Sequence, residues 1–366
     1  MSTSCSLEHE GCNRWMRVAA TLCRWLVGSV LLFSGAVKSV DPVGTSLYVD
    51  KYLATYSLEA IMPLATTLAV VLAVVEFTLG TMLILGYFRR ATITLSLCLT
   101  TLFFVVTLLS ATLLPVGDCG CFGPLLRLQP WQSLAKNVVL LSLLLFLYFK
   151  VRESSPFSLR AVVAVVVAVA LPLCANIYSL CHLPIVDFMQ YSVGRELADR
   201  VAKERAKEND AQDFVLQFRR LDTGEVVEFE PSATECWVDS NLEYVDTVAT
   251  AESVEGEYVD FRLYGVDGDD YSLDVIGRSG RVALLCINSV ARLGDGDSAG
   301  IARLLDSYPK SAIVVLKSCD CDIEELRDVE TYNVDALTLR TIIRADIGVV
   351  ILRDGVIEFK SNIGDI

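Results

Sequence analysis

Five long apolar runs, at roughly 17–37, 60–86, 91–115, 131–149 and 157–179, fill the first half of this chain. Most approach the ~20 residues that a bilayer-crossing helix needs. The stretch from Ala161 to Leu173 holds only Ala, Val and Leu apart from Pro172, which a water-facing surface does not tolerate. A mean hydropathy of +0.48 is too high for an ordinary soluble protein. The fourth run carries Lys136 and Asn137 near its start. There Trp131 serves as an interfacial anchor and Lys136 snorkels toward the headgroups. The expectation is an α-helical transmembrane bundle of five spans, with four as the fallback.

Basic residues near the span ends orient such a bundle. Arg14 and Arg17 precede the first span, Arg89 and Arg90 fill the turn after the second, and Lys150, Arg152 and Arg160 separate the fourth from the fifth. All three groups fall on one side, which places the N-terminus in the cytoplasm and everything after the fifth span outside. Glu8 and Glu10 before the first apolar run argue against a cleaved signal peptide. The expected division is a cytoplasmic tail at 1–16, a bundle at 17–180, a linker at 181–210 and an extracytoplasmic domain at 211–366. Residues 1–182 carry a net charge of +4 and residues 183–366 a net −18. No basic stripe offers itself to nucleic acid, so none is expected as a partner.

The loop between the third and fourth spans contains Asp118-Cys119-Gly120-Cys121-Phe122-Gly123. Two thiols separated by one glycine can approach closely enough to bond, and strained or exposed pairs are the ones used for exchange. Redox use of Cys119 and Cys121 is the reading, with metal binding or a fixed staple as the alternatives. Other cysteines sort by position. Cys23 and Cys98 lie within spans and read as small apolar residues. Cys174 and Cys181 lie seven residues apart at the outer end of the fifth span, on one helix face but too far apart to bond to each other. Cys236 and Cys286 read as core residues. Cys319-Asp320-Cys321 repeats the one-residue spacing; its flanking carboxylates raise thiol pKa, so a structural or regulatory disulfide is expected and catalysis is the alternative.

Only His9 and His182 exist, neither inside a span. That excludes bis-histidine haem in the membrane and a histidine-built zinc centre, and no metal is expected. Glu76 sits in the middle of the second span, where a carboxyl is costly and a functional candidate. It stays protonated or pairs with a base from another helix, for which Lys38 at the outer end of the first span is available. A helix–helix hydrogen bond is the plainer alternative. Asp41-Pro42 should end the first helix.

The second half reads as a charged helix at 195–207 and hairpins at 214–218/226–229 and 261–266/271–275. Strand 282–287, helix 298–307, strand 312–316, helices 323–330 and 337–344, and strands 349–352 and 356–359 follow. That element order matches an α/β thioredoxin-like domain. The turn after the first of these strands carries Asn288-Ser289-Val290-Ala291 instead of Cys-x-x-Cys. A binding or docking module is therefore expected.

Several of these motifs together resemble the MauE/DoxX family of redox-associated membrane proteins. They are Ser34-Gly35 with Lys38 and Asp41-Pro42, Glu76-Phe77 with Gly80, Cys119-Gly120-Cys121-Phe122-Gly123, and Trp131 with Lys136-Asn137. The whole chain is similar to a longer form from Bacteroidetes-type bacteria in which a thioredoxin-like domain follows the helices. Its C-terminal signature resembles 339–344 with 348–355, and Ser179-Leu180-Cys181-His182-Leu183-Pro184 resembles another part of it. The resemblance implies a bacterial inner-membrane protein with its C-terminal domain in the periplasm. It also implies a role in making or breaking disulfides in the cell envelope, as in methylamine utilisation.

Three functions compete. In the first, a thiol–disulfide oxidoreductase, Cys119 and Cys121 cycle between dithiol and disulfide and Glu76 gates a proton. The partners are the bilayer, a cysteine-bearing envelope client and another thiol–disulfide protein. No cofactor motif is evident; a quinone is left open as the electron carrier. The second is an assembly factor or docking receptor with a fixed Cys119–Cys121 staple. The third is a small-molecule transporter, to which only Glu76 points.

Overall fold

In a bilayer every backbone N–H and C=O must be satisfied within the segment, so long apolar runs become helices. The computed structural model describes residues 3–113, 119–151, 158–210, 214–220, 226–229, 241–249, 261–289, 295–319, 321 and 323–366. Five helices in it are long and apolar enough to cross a membrane: Trp15–Val40, Ala60–Leu85, Arg89–Thr112, Pro130–Lys150 and Leu159–Cys181. This is a membrane protein with five such helices, as its hydropathy requires.

Two compact units make up the chain. The first is Met1–Met189 with Ile343–Ala345 and Asp365; the second is Gln190–Ile342, Asp346–Gly364 and Ile366. In the first unit, α1 (Thr3–Val40) ends where Asp41 leaves the helical region and Pro42 opens α2 (Pro42–Thr55). Residues 3–16, expected as a tail, continue α1. The α2 helix was not foreseen, although Asp41 followed by proline at the first helical position is a start signal. Asp41 accepts from Gly44 N at 2.7 Å, capping α2. Then come α3 (Ala65–Leu85) and α4 (Arg89–Thr112), joined through left-handed Gly86 and Phe88. The cysteine loop is a small antiparallel hairpin, β1 (Cys119–Phe122) and β2 (Leu126–Leu128), rather than an irregular turn. The bundle closes with α5 (Pro130–Lys150) and α6 (Leu159–Cys181).

One end of the bundle is packed by aliphatic side chains, among them Val27, Leu31, Leu79, Leu83, Leu144 and Leu147. Polar groups gather toward the other. Between α1 and α3 the backbones touch: a Cβ on Gly35 would lie 2.7 Å from Ala73 O, and one on Gly80 would lie 2.7 Å from Gly28 O. Small residues permit such approach in membranes, where burial of apolar surface does not drive association.

In the second unit, residues 190–210 carry buried Tyr191, Leu197 and Val201. The last two, four apart, share one face of α7 (Leu197–Asp210). Strands β3 (Phe214–Arg220), β4 (Val226–Phe229) and β5 (Leu242–Ala249) form a three-stranded antiparallel sheet, so the expected hairpin gains a third strand. Of the second expected hairpin one antiparallel bridge forms, Tyr264 with Asp270, and the pairing goes no further. Residues Ser272–Ile276 are instead a short helix, α8, because Asp270 accepts from Ser272 N at 3.0 Å and turns the chain.

A mixed sheet of five strands completes the unit. It contains β6 (Arg281–Ile287), β7 (Ile313–Lys317), β8 (Glu330–Asn333), β9 (Ile347–Arg353) and β10 (Val356–Asn362), in the order β10-β9-β6-β7-β8. The β6–β7 and β7–β8 pairs are parallel, and β9 runs antiparallel to both β6 and β10. The crossover helix is α9 (Asp295–Ser307), and α10 (Ala336–Ile342) precedes β9. The helix expected at 323–330 shrinks to a 3-10 turn, Glu324–Leu326, followed by β8. Ile323, Leu326 and Val329 do share a buried face, but the open edge of β7 captures the residues that follow. Sheet pairing of this kind overrides local preference.

Cys286 lies in β6 with no exposed surface. Burial pushes its thiol up to about 12. We expect it to resist maleimide in the native protein and to react once the unit is unfolded. Mass spectrometry of the labelled protein checks this; native labelling would mean that β6 opens locally.

Candidate functional site: a lysine–glutamate pair beneath the cysteine hairpin

The site starts from an energetic problem. Lys38 and Glu76 are 2% and 1% exposed, on two helices and in direct contact at 2.7 Å. Isolated charges at such positions are very unfavourable; a pair is tolerated when its remaining hydrogen-bonding capacity is used. Lys38 uses all of it. Its Nζ donates to Glu76 Oε2 at 2.7 Å and Oε1 at 2.9 Å, to Ser34 Oγ at 2.7 Å, and to the backbone carbonyl of Cys121 at 2.6 Å. Ser34 in turn donates to that same carbonyl at 2.6 Å. One turn of α1 separates Ser34 from Lys38, which sets both on one face.

The pair therefore grips the backbone of the hairpin at Cys121. Other contacts seat the same strand. Lys136 Nζ stands 4.8 Å from the centre of the Phe122 ring, and Phe33 packs on Phe122 at 5.8 Å. A Cβ on Gly120 would meet Tyr48 Cβ at 2.7 Å, so glycine lets the hairpin lie on α2. Gly123 has φ +56°, a left-handed turn that glycine adopts at little cost. Both glycines thus have seats to fill, a different reason from the thiol approach expected of the motif.

The expected residues fall as follows. Lys38 and Glu76 form the ion pair, and Cys121 is held to it through its carbonyl. The backbone of Cys119 is paired in β1 opposite Leu128, while its side chain lies outside what the structure describes. Asp41 is buried but caps α2 rather than joining Lys38. Cys174 and Cys181 both lie on continuous α6, about 10 Å apart along its axis. Cys319 and Cys321 are bonded to each other and pack against the core of the second unit. They follow β7, whose next residue Ser318 donates to Asn288 O after β6 at 3.4 Å. The bond thus lies beside the turn where Cys-x-x-Cys was sought. Residues 290–294 of that turn, and Cys236, lie outside the described residues.

Sequence reasoning missed Ser34 as a ligand of Lys38, and Tyr48, Thr100 and Thr107. Asn137 entered as a polar residue in the fourth span and as part of the family motif, with no partner assigned. It is fully buried and donates through Nδ2 to Thr107 Oγ1 at 3.1 Å. Thr107 spends its own proton on Phe103 O at 2.7 Å, which fixes the Asn137 amide with Nδ2 toward the threonine. The signal available was polar residues recurring inside otherwise apolar spans. Among the described residues no group of three or more His, Cys, Asp or Glu could hold a metal ion.

No solved structure matches the chain. A segment of 120 residues, 30% of this chain, is 29% identical to Protein TlpB of Flavobacterium psychrophilum. It spans about a third of that relative's length. Residues 16–150 match the model of a family described as Methylamine utilisation protein MauE. Over the stretch that contains Lys38, Glu76, the cysteine hairpin and Asn137, this chain is therefore similar to the MauE family.

Proposed function

We propose that this protein is a membrane thiol–disulfide oxidoreductase working through Cys119 and Cys121. The observation that carries the reading is the grip of the buried Lys38–Glu76 pair on the carbonyl of Cys121. A fixed staple in a surface hairpin does not need a desolvated ion pair beneath it. An exchanging cysteine does need a fixed backbone, because attack on a disulfide requires the thiolate in line with the sulfur it displaces. The similarity to MauE over residues 16–150 is compatible with a redox-associated role.

In the proposed cycle, the thiolate of one cysteine attacks a client disulfide and the other resolves the mixed intermediate. Basic residues at the span ends support an orientation with the hairpin and the second unit outside the cytoplasm. The strand order of the second unit supports a thioredoxin-like scaffold that presents or selects the client, with Cys319–Cys321 in a structural or regulatory role.

The test is the redox state of Cys119 and Cys121 in intact cells, trapped with a mass-shifting maleimide, alongside a Cys121→Ser variant. We expect a mixture of dithiol and disulfide, and a covalent adduct of Cys119 with another protein in the variant. A fully oxidised pair that resists mild reductant, with no adduct, would leave the docking reading in its place.

A further inference from the structure

The bundle encloses a cavity of about 470 Å³ lined by residues of α1 to α5 and the cysteine hairpin. Its volume falls in the roughly 300–1,000 Å³ range of small-molecule sites. Most of the wall is aliphatic or aromatic, including Leu72, Val75, Leu99 and Phe103. Val71 on α3 and Leu102 on α4, both lining it, are 52% and 58% exposed, so one flank is open. Around that flank lies the apolar surface that lipid would cover.

The rest of the wall is polar. Lys38, Glu76 and Cys121 line it, so the cavity touches the site already described. Thr100 and Asn137 line it too, at 1% and 0% exposed. Thr100 Oγ1 and Asn137 Oδ1 are both buried with no hydrogen-bond partner. An unpaired buried polar atom costs about 1–3 kcal/mol, so two at one cavity ask for a ligand that satisfies them.

We infer that this cavity binds a membrane quinone, a flat para-quinone ring with an apolar tail, and that the quinone accepts the electrons of the Cys119/Cys121 dithiol. The inference rests on the relay reading for its redox part and on the cavity alone for its binding part. The Thr100 hydroxyl can donate to a quinone carbonyl, and Asn137 Oδ1 can accept from a quinol hydroxyl. The two groups together suit both oxidation states. A lipid acyl chain would satisfy neither. The open flank between α3 and α4 gives an apolar tail its way out.

The step balances without a further reagent. Two S–H bonds break and one S–S bond forms between Cys119 and Cys121. The two electrons pass to the quinone, and the two protons end on its oxygens as the two hydroxyls of the quinol.

The full chain in nanodiscs of dioleoylphosphatidylcholine, titrated with menaquinone-4 and decylubiquinone, tests this. Wild type should bind at least one of them. Val75→Trp, which fills the cavity, should abolish binding. The Thr100→Val/Asn137→Leu double variant should weaken it about tenfold, two hydrogen bonds' worth. A Cys119→Ser/Cys121→Ser variant is titrated alongside, so that reduction is compared at equal quinone occupancy. Pre-reduced wild type should convert one equivalent of bound quinone to quinol, and the cysteine-free variant none.

No binding by wild type, or equal binding by Val75→Trp and the polar double variant, overturns the site. Binding without reduction overturns the electron-acceptor role. Should Val75→Trp fail to fold, the polar double variant decides. Mixed disulfides of Cys121→Ser report the relay separately, so either reading can fail while the other stands.

Discussion

Replacing Glu76 with glutamine should destabilise the bundle by about 3–5 kcal/mol, the cost of leaving a buried charge without its partner. Lys38 would then keep Ser34, the Cys121 carbonyl and one amide oxygen as acceptors, but lose the opposite charge and the second oxygen. Lys38→Met should cost a similar amount, because it leaves the buried Glu76 carboxyl without its partner. Removing both charges at once, in Lys38→Met/Glu76→Met, should recover most of the stability, since apolar replacement of a buried pair is often neutral. The hairpin should not recover with it. The double variant has no charged donor for Cys121 O, so Cys121 should react faster with maleimide while thermal melting in detergent stays near wild type. A double variant as unstable as either single one would mean that the pair holds the bundle together. One with unchanged Cys121 reactivity would mean that the pair does nothing for the hairpin.

The second large effect is expected at the α1–α3 contact. Gly80→Val should cost at least the roughly 1–3 kcal/mol typical of overpacking, and Gly80→Ala less than Gly80→Val. A side chain at Gly80 runs into Gly28 O at 2.7 Å and into the backbone of Leu32, and rigid helices cannot yield there as a flexible side chain would. Gly35 meets the backbone of Phe77 and Ala73 O in the same way. Spreading the two helices moves Lys38 from Glu76, because Gly35 lies three residues before Lys38 and Gly80 four after Glu76. Hydrogen bonds of 2.7–2.9 Å do not survive an added ångström. Gly80→Val should therefore reproduce the exposed Cys121 of the lysine–glutamate double variant even though both charges remain. Stability measured by thermal melting, with Cys121 labelling alongside, checks it; a variant with wild-type labelling would uncouple helix spacing from the hairpin.

What the sequence determined by itself follows from physics that acts locally. Five spans were readable because hydrocarbon allows only helices, and a run of ~20 apolar residues has no other outcome there. Asp41-Pro42 marked the end of α1 because proline restricts the residue before it. Glu76 and Lys38 stood out because charge inside a span is costly wherever its partner lies. The alternation and turn residues of the second half revealed strands β3, β4, β6, β7, β9 and β10, while β5 went unseen.

Other features depended on which segments meet, and no local pattern contains that. The strand β8 replaced an expected helix because the edge of β7 was there to pair with it. Residues 272–276 became helical through a bond from Asp270 that alternation does not reveal. Gly120 and Gly123 looked like aids to thiol approach, and their seats against Tyr48 and in a left-handed turn emerged only in three dimensions. Above all, the sequence offered Lys38 as a partner for Glu76 but tied neither of them to Cys121. Only the tertiary structure shows Lys38 joining the Glu76 carboxylate to the Cys121 carbonyl, because hydrogen bonds of under 3 Å depend on how closely two helices pack, and that spacing is set by glycines whose partners lie 38 or more residues away.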